Sequence, residues 1–318
     1  MKYKDWITVW LENYVKPLSK RKTSDCYASL INNHIKKHIG DYDLDEINAL
    51  VVQCLSGKLL NEGNGHTGSG LSSSTVNLII TIIQQSLSAA HAAGYVDHYT
   101  LKNVKRPKML EKRVECFDKT EQKLLENAVL NHKKSKMIGV IITLYTGLRI
   151  GELLALEWSN IDFSNSTLTV NKTCSDSTDG EGEYVRAIDL PKTFSSIREV
   201  PIPESLLVIL EKVKKKSKSP YVISEGNKVI PVRSYQRSFE LMLQSLKMKH
   251  RGFHSLRHTF ATRALECGMD VRTLAEILGH KNPSVTLSRY AHSLSEHKKS
   301  MMNRVGELLS AVSNLVNS

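Results

Sequence analysis

A basic run containing a proline, Lys102-Asn103-Val104-Lys105-Arg106-Pro107-Lys108, divides this chain into two stretches of different hydrophobic rhythm. Proline ends helices and pushes the residue before it out of the helical region, so the run reads as a domain boundary. Ahead of it, apolar residues recur at helical spacing: Trp6, Trp10, Leu11 and Tyr14, then Tyr27, Leu30, Ile31 and Ile35. The Gly/Ser-rich stretch from Glu62 to Gly70 reads as a loop among these helices, and Ser72-Ser73-Ser74 marks the start of a helix running from Ser74 to Ala93. Behind the run, helices are predicted over about Lys119 to His132 and Lys136 to Tyr145. Strands follow at Leu168 to Thr173, Glu183 to Leu190 and Ile197 to Pro201, with Asp176 to Gly182 as the hairpin loop between the first two. Helices resume at Pro203 and continue to the C-terminus. The expected fold is mainly α with a small antiparallel β-sheet in two domains: a helical domain at 1–107, a linker at 108–116 and an α+β domain at 117–318.

A chain of 318 residues with 41% hydrophobic content is long enough for two moderate cores. Its net charge of +12 suits a polyanionic partner, because a lysine or arginine beside a phosphate releases condensed counterions. Charge alone would also suit a membrane surface. No apolar run approaches the length of a spanning helix, however, and Met1-Lys2-Tyr3-Lys4-Asp5-Trp6 has no signal-peptide core, so a cytoplasmic protein is expected. Cys26, Cys54, Cys116, Cys174 and Cys267 are widely spaced and form no C-x-x-C pair, which indicates neither a disulfide framework nor a cysteine zinc site. Among the 12 histidines only His254 and His258 form an i, i+4 pair near other chemistry, and as a metal site that pair is weak. No metal and no cofactor are expected.

Three local patterns carry the chemistry. In Tyr145-Thr146-Gly147-Leu148-Arg149-Ile150-Gly151-Glu152-Leu153-Leu154, Gly147 can break one helix and Arg149 begins another. Its guanidinium can fork onto a phosphate beside free backbone N–H groups. An arginine on an amphipathic helix is more commonly a solvated surface residue. In Arg251-Gly252-Phe253-His254-Ser255-Leu256-Arg257-His258-Thr259-Phe260-Ala261-Thr262, His254 and Arg257 share a helix face, and His258 reads as a core histidine bonded to a backbone carbonyl. The third pattern places a helix stop at Gly279, an exposed imidazole at His280 and a new short helix from Pro283 leading to Tyr290. By itself, each of these residues has an ordinary structural explanation.

Taken in order, Arg149, His254, Arg257, His280 and Tyr290 resemble the tyrosine recombinase family, the integrases of phages and conjugative transposons together with the Xer and Cre type enzymes. The resemblance is carried by T-G-L-R-x-G-E-L, by H-x-L-R-H-T-F-A-T, and by L-G-H followed ten positions on by Tyr-Ala-His. It covers about Phe117 to His292 well and the helical region more loosely, as the family's core-binding domain. The run Leu190-Pro191-Lys192-Thr193-Phe194-Ser195-Ser196-Ile197-Arg198-Glu199-Val200-Pro201-Ile202-Pro203 resembles the integrase pattern that bears a general-acid lysine. That implies Lys192 for the role, with Lys172 on the preceding strand as the competing candidate. Glu152 stands at the family's acidic position and is expected to brace the site.

The resemblance implies a DNA strand-exchange enzyme. Two always-ionised arginines meet the charge that grows on a phosphodiester's nonbridging oxygens, so magnesium is not required. A phenol beside dense positive charge becomes a workable nucleophile, and the departing 5′-oxygen needs a proton. Type IB topoisomerases carry the same residue kit, and a catalytically idle DNA-binding accessory protein is a further alternative. Implied partners are double-stranded DNA with inverted-repeat core sites, a homo-tetramer on two duplexes, and a directionality factor. Lys20, Arg21, Lys22, Lys36 and Lys37 are candidate DNA-backbone contacts. The stripe Met301, Val305, Leu308, Val312 and Leu315 is a candidate exchange helix, which fits packing on its own core equally well. Since Trp6 already lies in the core-binding region, either a short form without an arm-binding domain or a piece of a longer protein is expected.

Overall fold

The computed structural model describes residues 1–65, 68–97, 101–109, 115–131, 135–178, 184–189, 197–226, 228–280, 282–284, 301–307 and 309. The chain forms two compact units, Met1–Lys112 and Arg113–Ser318.

The described part of the first unit is helical. Helices α1 (Tyr3–Trp10) and α2 (Arg21–Leu30) each run on into a π-helical turn, followed by α3 (Lys36–Ile39), α4 (Ala49–Glu62) and α5 (Ser73–Ala92). Asn48 caps α4 through its side chain, and Ser72 caps α5 by accepting the Thr75 N–H, one residue ahead of the start expected from the serine run. Trp6, Ile7, Ile31, Ile35, Leu59, Ile79 and Ile83 fill the core, as the helical spacing requires. Segment 104–107 is tied to this unit. Lys105 N–H donates to Gln53, Arg106 donates to Asn77 O, Thr81 and Gln84, and Asn77 donates to Pro107 O.

The second unit is built around α7 (Ile138–Thr146), a helix whose side chains are buried on nearly every face. Around it lie α6 (Lys119–Leu130), α8 (Ile150–Leu154), α9 (Glu204–Lys216), α10 (Val232–Ser245), α11 (His254–Glu266) and α12 (Val271–Leu278). Strands β1 (Ile161–Asp162), β2 (Thr167–Val170) and β5 (Arg198–Pro201) form an antiparallel sheet, and β3 (Thr173–Thr178) pairs antiparallel with β4 (Tyr184–Asp189). The fold is therefore mainly helical with small antiparallel sheets. Among the described residues no helix is long and apolar enough to cross a membrane.

Three details differ from the sequence reading. The strand expected at Leu168–Thr173 is two strands in separate sheets, broken at Asn171-Lys172, where Lys172 turns to pair with Glu157. Asp176 to Thr178, expected as loop, lengthens β3 instead, with Asp176 accepting the Arg233 N–H at the start of α10. The region after Pro203 is not purely helical: β6 (Ser224–Glu225) and β7 (Lys228–Val229) form a hairpin too short to leave an alternating pattern.

Candidate active site

Gly147 ends α7 in the left-handed conformation, φ +67°, which lets the chain reverse and sets Arg149 immediately ahead of α8. A Cβ at Gly147 would lie 2.5 Å from Phe260. At the start of the five-residue α8, Glu152 accepts the Arg149 N–H at 2.9 Å. Glu152 also takes the Arg149 Nη1 at 2.8 Å, and on its other side Arg198 Nη2 at 2.8 Å and Nη1 at 3.2 Å. Its side chain is 8% exposed. Burial is the largest single influence on this carboxyl and would raise its pKa, but Arg198 and Arg149 together hold it at about 2.

The other half of the site hangs on the end of α12. Gly279, φ +65°, and His280 close that helix with backbone bonds from Gly279 N–H to Glu276 O and from His280 N–H to Ala275 O. This leaves the carbonyls of Ile277, Leu278 and Gly279. Three different arginines bond them: Arg198 Nε to Ile277 O at 2.6 Å, Arg257 Nη2 to Leu278 O at 2.7 Å, and Arg149 Nη2 to Gly279 O at 3.4 Å. The negative end of the helix dipole and one buried carboxylate thus hold three guanidinium groups together against their mutual repulsion.

Arg257, on the first turns of α11, is 1% exposed and also donates to Gly147 O at 2.7 Å, joining the end of α7 to the end of α12. Its Nη2 lies 3.0 Å from His280 Nε2. Arginine only donates, so this contact is a hydrogen bond when Nε2 carries the ring's lone pair. His254 is exposed at the start of α11. His258, expected in the core, is only half-buried; its ring meets His254 edge-on with centroids 4.5 Å apart, because position 258 lies one turn along the same helix face.

Arg149, Arg257 and His280 are brought together at Gly279, with His254 on the same helix as Arg257. Lys192 and Tyr290 lie outside the described residues, as do Leu308, Val312 and Leu315 of the terminal stripe. Lys172 is described, with Nζ 2.6 Å from Glu157 Oε1. Arg198, in the Leu190–Pro203 run, joins the site through Glu152 and Ile277, a role that nothing in its local pattern marks out. In the first unit Lys20, Arg21, Lys22 and Lys37 are exposed and Lys36 is half-buried. Among the described residues no group of three or more His, Cys, Asp or Glu side chains could hold a metal.

The profile of the phage integrase family matches residues 115–297, and that of the phage integrase N-terminal SAM-like domain matches residues 2–60. The chain is 28% identical to a XerC-like tyrosine recombinase of Caldanaerobacter subterraneus, over 96% of this chain and 82% of the relative. Among solved structures, it resembles the Tn1549 transposon integrase in complex with transposon right end DNA, with a TM-score of 0.80 at 20% identity over 96% of this chain and all of that one. It also resembles a lambda integrase tetramer bound to a Holliday junction, with a TM-score of 0.67 at 19% identity over 89% of this chain and 78% of that one.

Proposed function

Since the chain belongs to the phage integrase family and is a site-specific DNA recombinase of the tyrosine type, we propose that Tyr290 is its nucleophile and that the cluster around Gly279 holds the scissile phosphate. The observation that carries this reading is the convergence of Arg149, Arg257 and His280 on the end of one helix. Two forked cations and an imidazole set that close, on a frame of backbone carbonyls, match a tetrahedral phosphate whose charge grows during attack.

Tyr290 ionises, its proton passing to solvent, and the phenoxide oxygen bonds to phosphorus; the bond to the DNA 5′-oxygen breaks, and Lys192 protonates that oxygen. Arg149 and Arg257 neutralise the nonbridging oxygens, while His254 and His280 hydrogen-bond the phosphate and tune the proton's movement. A 3′-phosphotyrosyl link retains the energy of the original ester, so the 5′-hydroxyl of a partner strand can reverse the step. Lys172 is less suited to the acid's role, since its ammonium is engaged by Glu157.

Residues 1–107 serve as the core-binding clamp and residues 117–318 as the catalytic domain, with 108–116 as the linker. Lys20, Arg21 and Lys22 crowd the start of α2, whose first turn carries no acidic residue. Cations there oppose the helix dipole, an arrangement a bound DNA backbone relieves. The natural assembly is a homo-tetramer on two duplexes carrying inverted-repeat core sites, assisted by a directionality factor and working in association with the nucleoid.

The test is a nicked suicide duplex cut from the inverted repeats flanking the gene, located first by footprinting with the purified protein. Wild type should accumulate a covalent protein–DNA complex and Tyr290→Phe none. A complex trapped by Tyr290→Phe would remove Tyr290 as the nucleophile.

A further inference from the structure

Arg198 has no part in the phosphate chemistry, yet it is buried and fully engaged beside it. Its side chain is 7% exposed and makes contacts on three sides. Nη1 and Nη2 grip both oxygens of Glu152, the carboxylate that holds Arg149. Nε reaches Ile277 O at 2.6 Å, one residue before the carbonyl that Arg257 bonds. The flat of the guanidinium lies against Gly279, where a Cβ would come within 3.1 Å of Nη1 and 3.2 Å of Cζ. The glycine of the L-G-H pattern is thus required twice, for its positive φ and for the room it leaves Arg198.

We infer that Arg198 is a positioning residue for the strand-transfer reaction, fixing the distance between the two phosphate-binding arginines from behind. It belongs to β5, so it ties the three-stranded sheet to both halves of the site: to Arg149 through Glu152, and to Arg257 and His280 through the end of α12. Lysine could keep the charge against Glu152 but has no planar fork with which to serve the carboxylate and Ile277 O together. Loss of Arg198 moves guanidinium groups rather than removing them. A displacement of about 1 Å is enough to cost roughly 100-fold in rate.

The inference rests on the proposed role of Arg149 and Arg257 and is tested with the full-length protein on the nicked suicide duplex. Arg198→Met and Arg198→Lys are compared with wild type in melting temperature, in affinity for the duplex, and in single-turnover formation of the covalent complex at saturating DNA. Both variants are expected to bind within about twofold of wild type while cleavage slows roughly 100-fold in Arg198→Met and less in Arg198→Lys. The same duplex with a methylphosphonate at the scissile position, in which a methyl group replaces one nonbridging oxygen and the linkage carries no charge for the arginines to meet, is the decisive probe. The deficit should shrink at least tenfold on it, because misplaced arginines matter less there. Equal slowing on both substrates, or slowing that tracks loss of folded protein, would overturn the positioning role. Should Arg198→Met fail to fold, the Arg198→Lys ratio between the two substrates decides alone. Failure of the wider reading is recognised separately, by a covalent complex that persists in Tyr290→Phe.

Discussion

Glu152 shows how a carboxylate can be buried without being protonated. Two guanidinium groups and a backbone N–H occupy its oxygens, and the favourable contacts outweigh the lost hydration. Its pKa is held at about 2, below its ordinary 4.5. The stabilisation this represents is complete above pH 4.5 and is lost as pH falls through 2, where the folded form must also take up the proton. Glu152→Gln should therefore flatten the dependence of the unfolding midpoint on pH between 4.5 and 2, measured by denaturant titration at a series of pH values. Glu152→Ala is harsher, since Arg198 would stay buried without its anion. A loss of about 3–5 kcal/mol is expected, with near-complete loss of covalent-complex formation.

At the scale of elements, the site is made from chain reversals more than from helix faces. Gly147 and Gly279 end α7 and α12 in left-handed conformations, and the carbonyls exposed at those ends are the ones that Arg257 bridges. Gly147→Ala should lower stability by about 1–2 kcal/mol from the backbone alone. The clash with Phe260 adds to this, so differential scanning of the full chain should show a clear fall in melting temperature and no gain in activity. Away from the site, Asp118 accepts the Thr120 and Glu121 N–H groups at the start of α6. Asp118→Ala is expected to cost about 1 kcal/mol in denaturant titration without changing cleavage of the suicide duplex.

For the whole molecule, a net charge of +12 makes DNA affinity strongly dependent on salt. Each of Lys20→Gln, Lys22→Gln and Lys37→Gln that removes a true phosphate contact should reduce the slope of log affinity against log salt by about one. An unchanged slope would assign that residue to a solvated helix face instead. Residues 301–307 are helical, with Val305 and Met302 exposed. If the terminal stripe packs on a neighbouring subunit, truncation after Ser300 should weaken pairing of two duplexes more than binding of one, as read by gel shift. Unchanged recombination would leave the stripe as a local packing surface.

Helices α5, α6 and α7 were legible in the chain's own pattern, because apolar spacing, caps and glycine stops are local properties of neighbouring residues; so were the α7 break at Gly147 and the α12 stop at Gly279. The sequence also determined the order of candidate groups, since residue type and spacing survive without coordinates. The very short β6–β7 hairpin was not legible, and neither was the split between β2 and β3, whose strands pair with different partners, β5 and β4. The contacts of Arg198 come from long-range folding alone. Its partners lie 46 residues back at Glu152 and 79 residues on at Ile277, and no local pattern records that three arginines will share the carbonyls of one helix end. That arrangement exists because folding brings the dipole end of α12 and a buried carboxylate to the same place, where positive charge is stabilised that would otherwise repel itself.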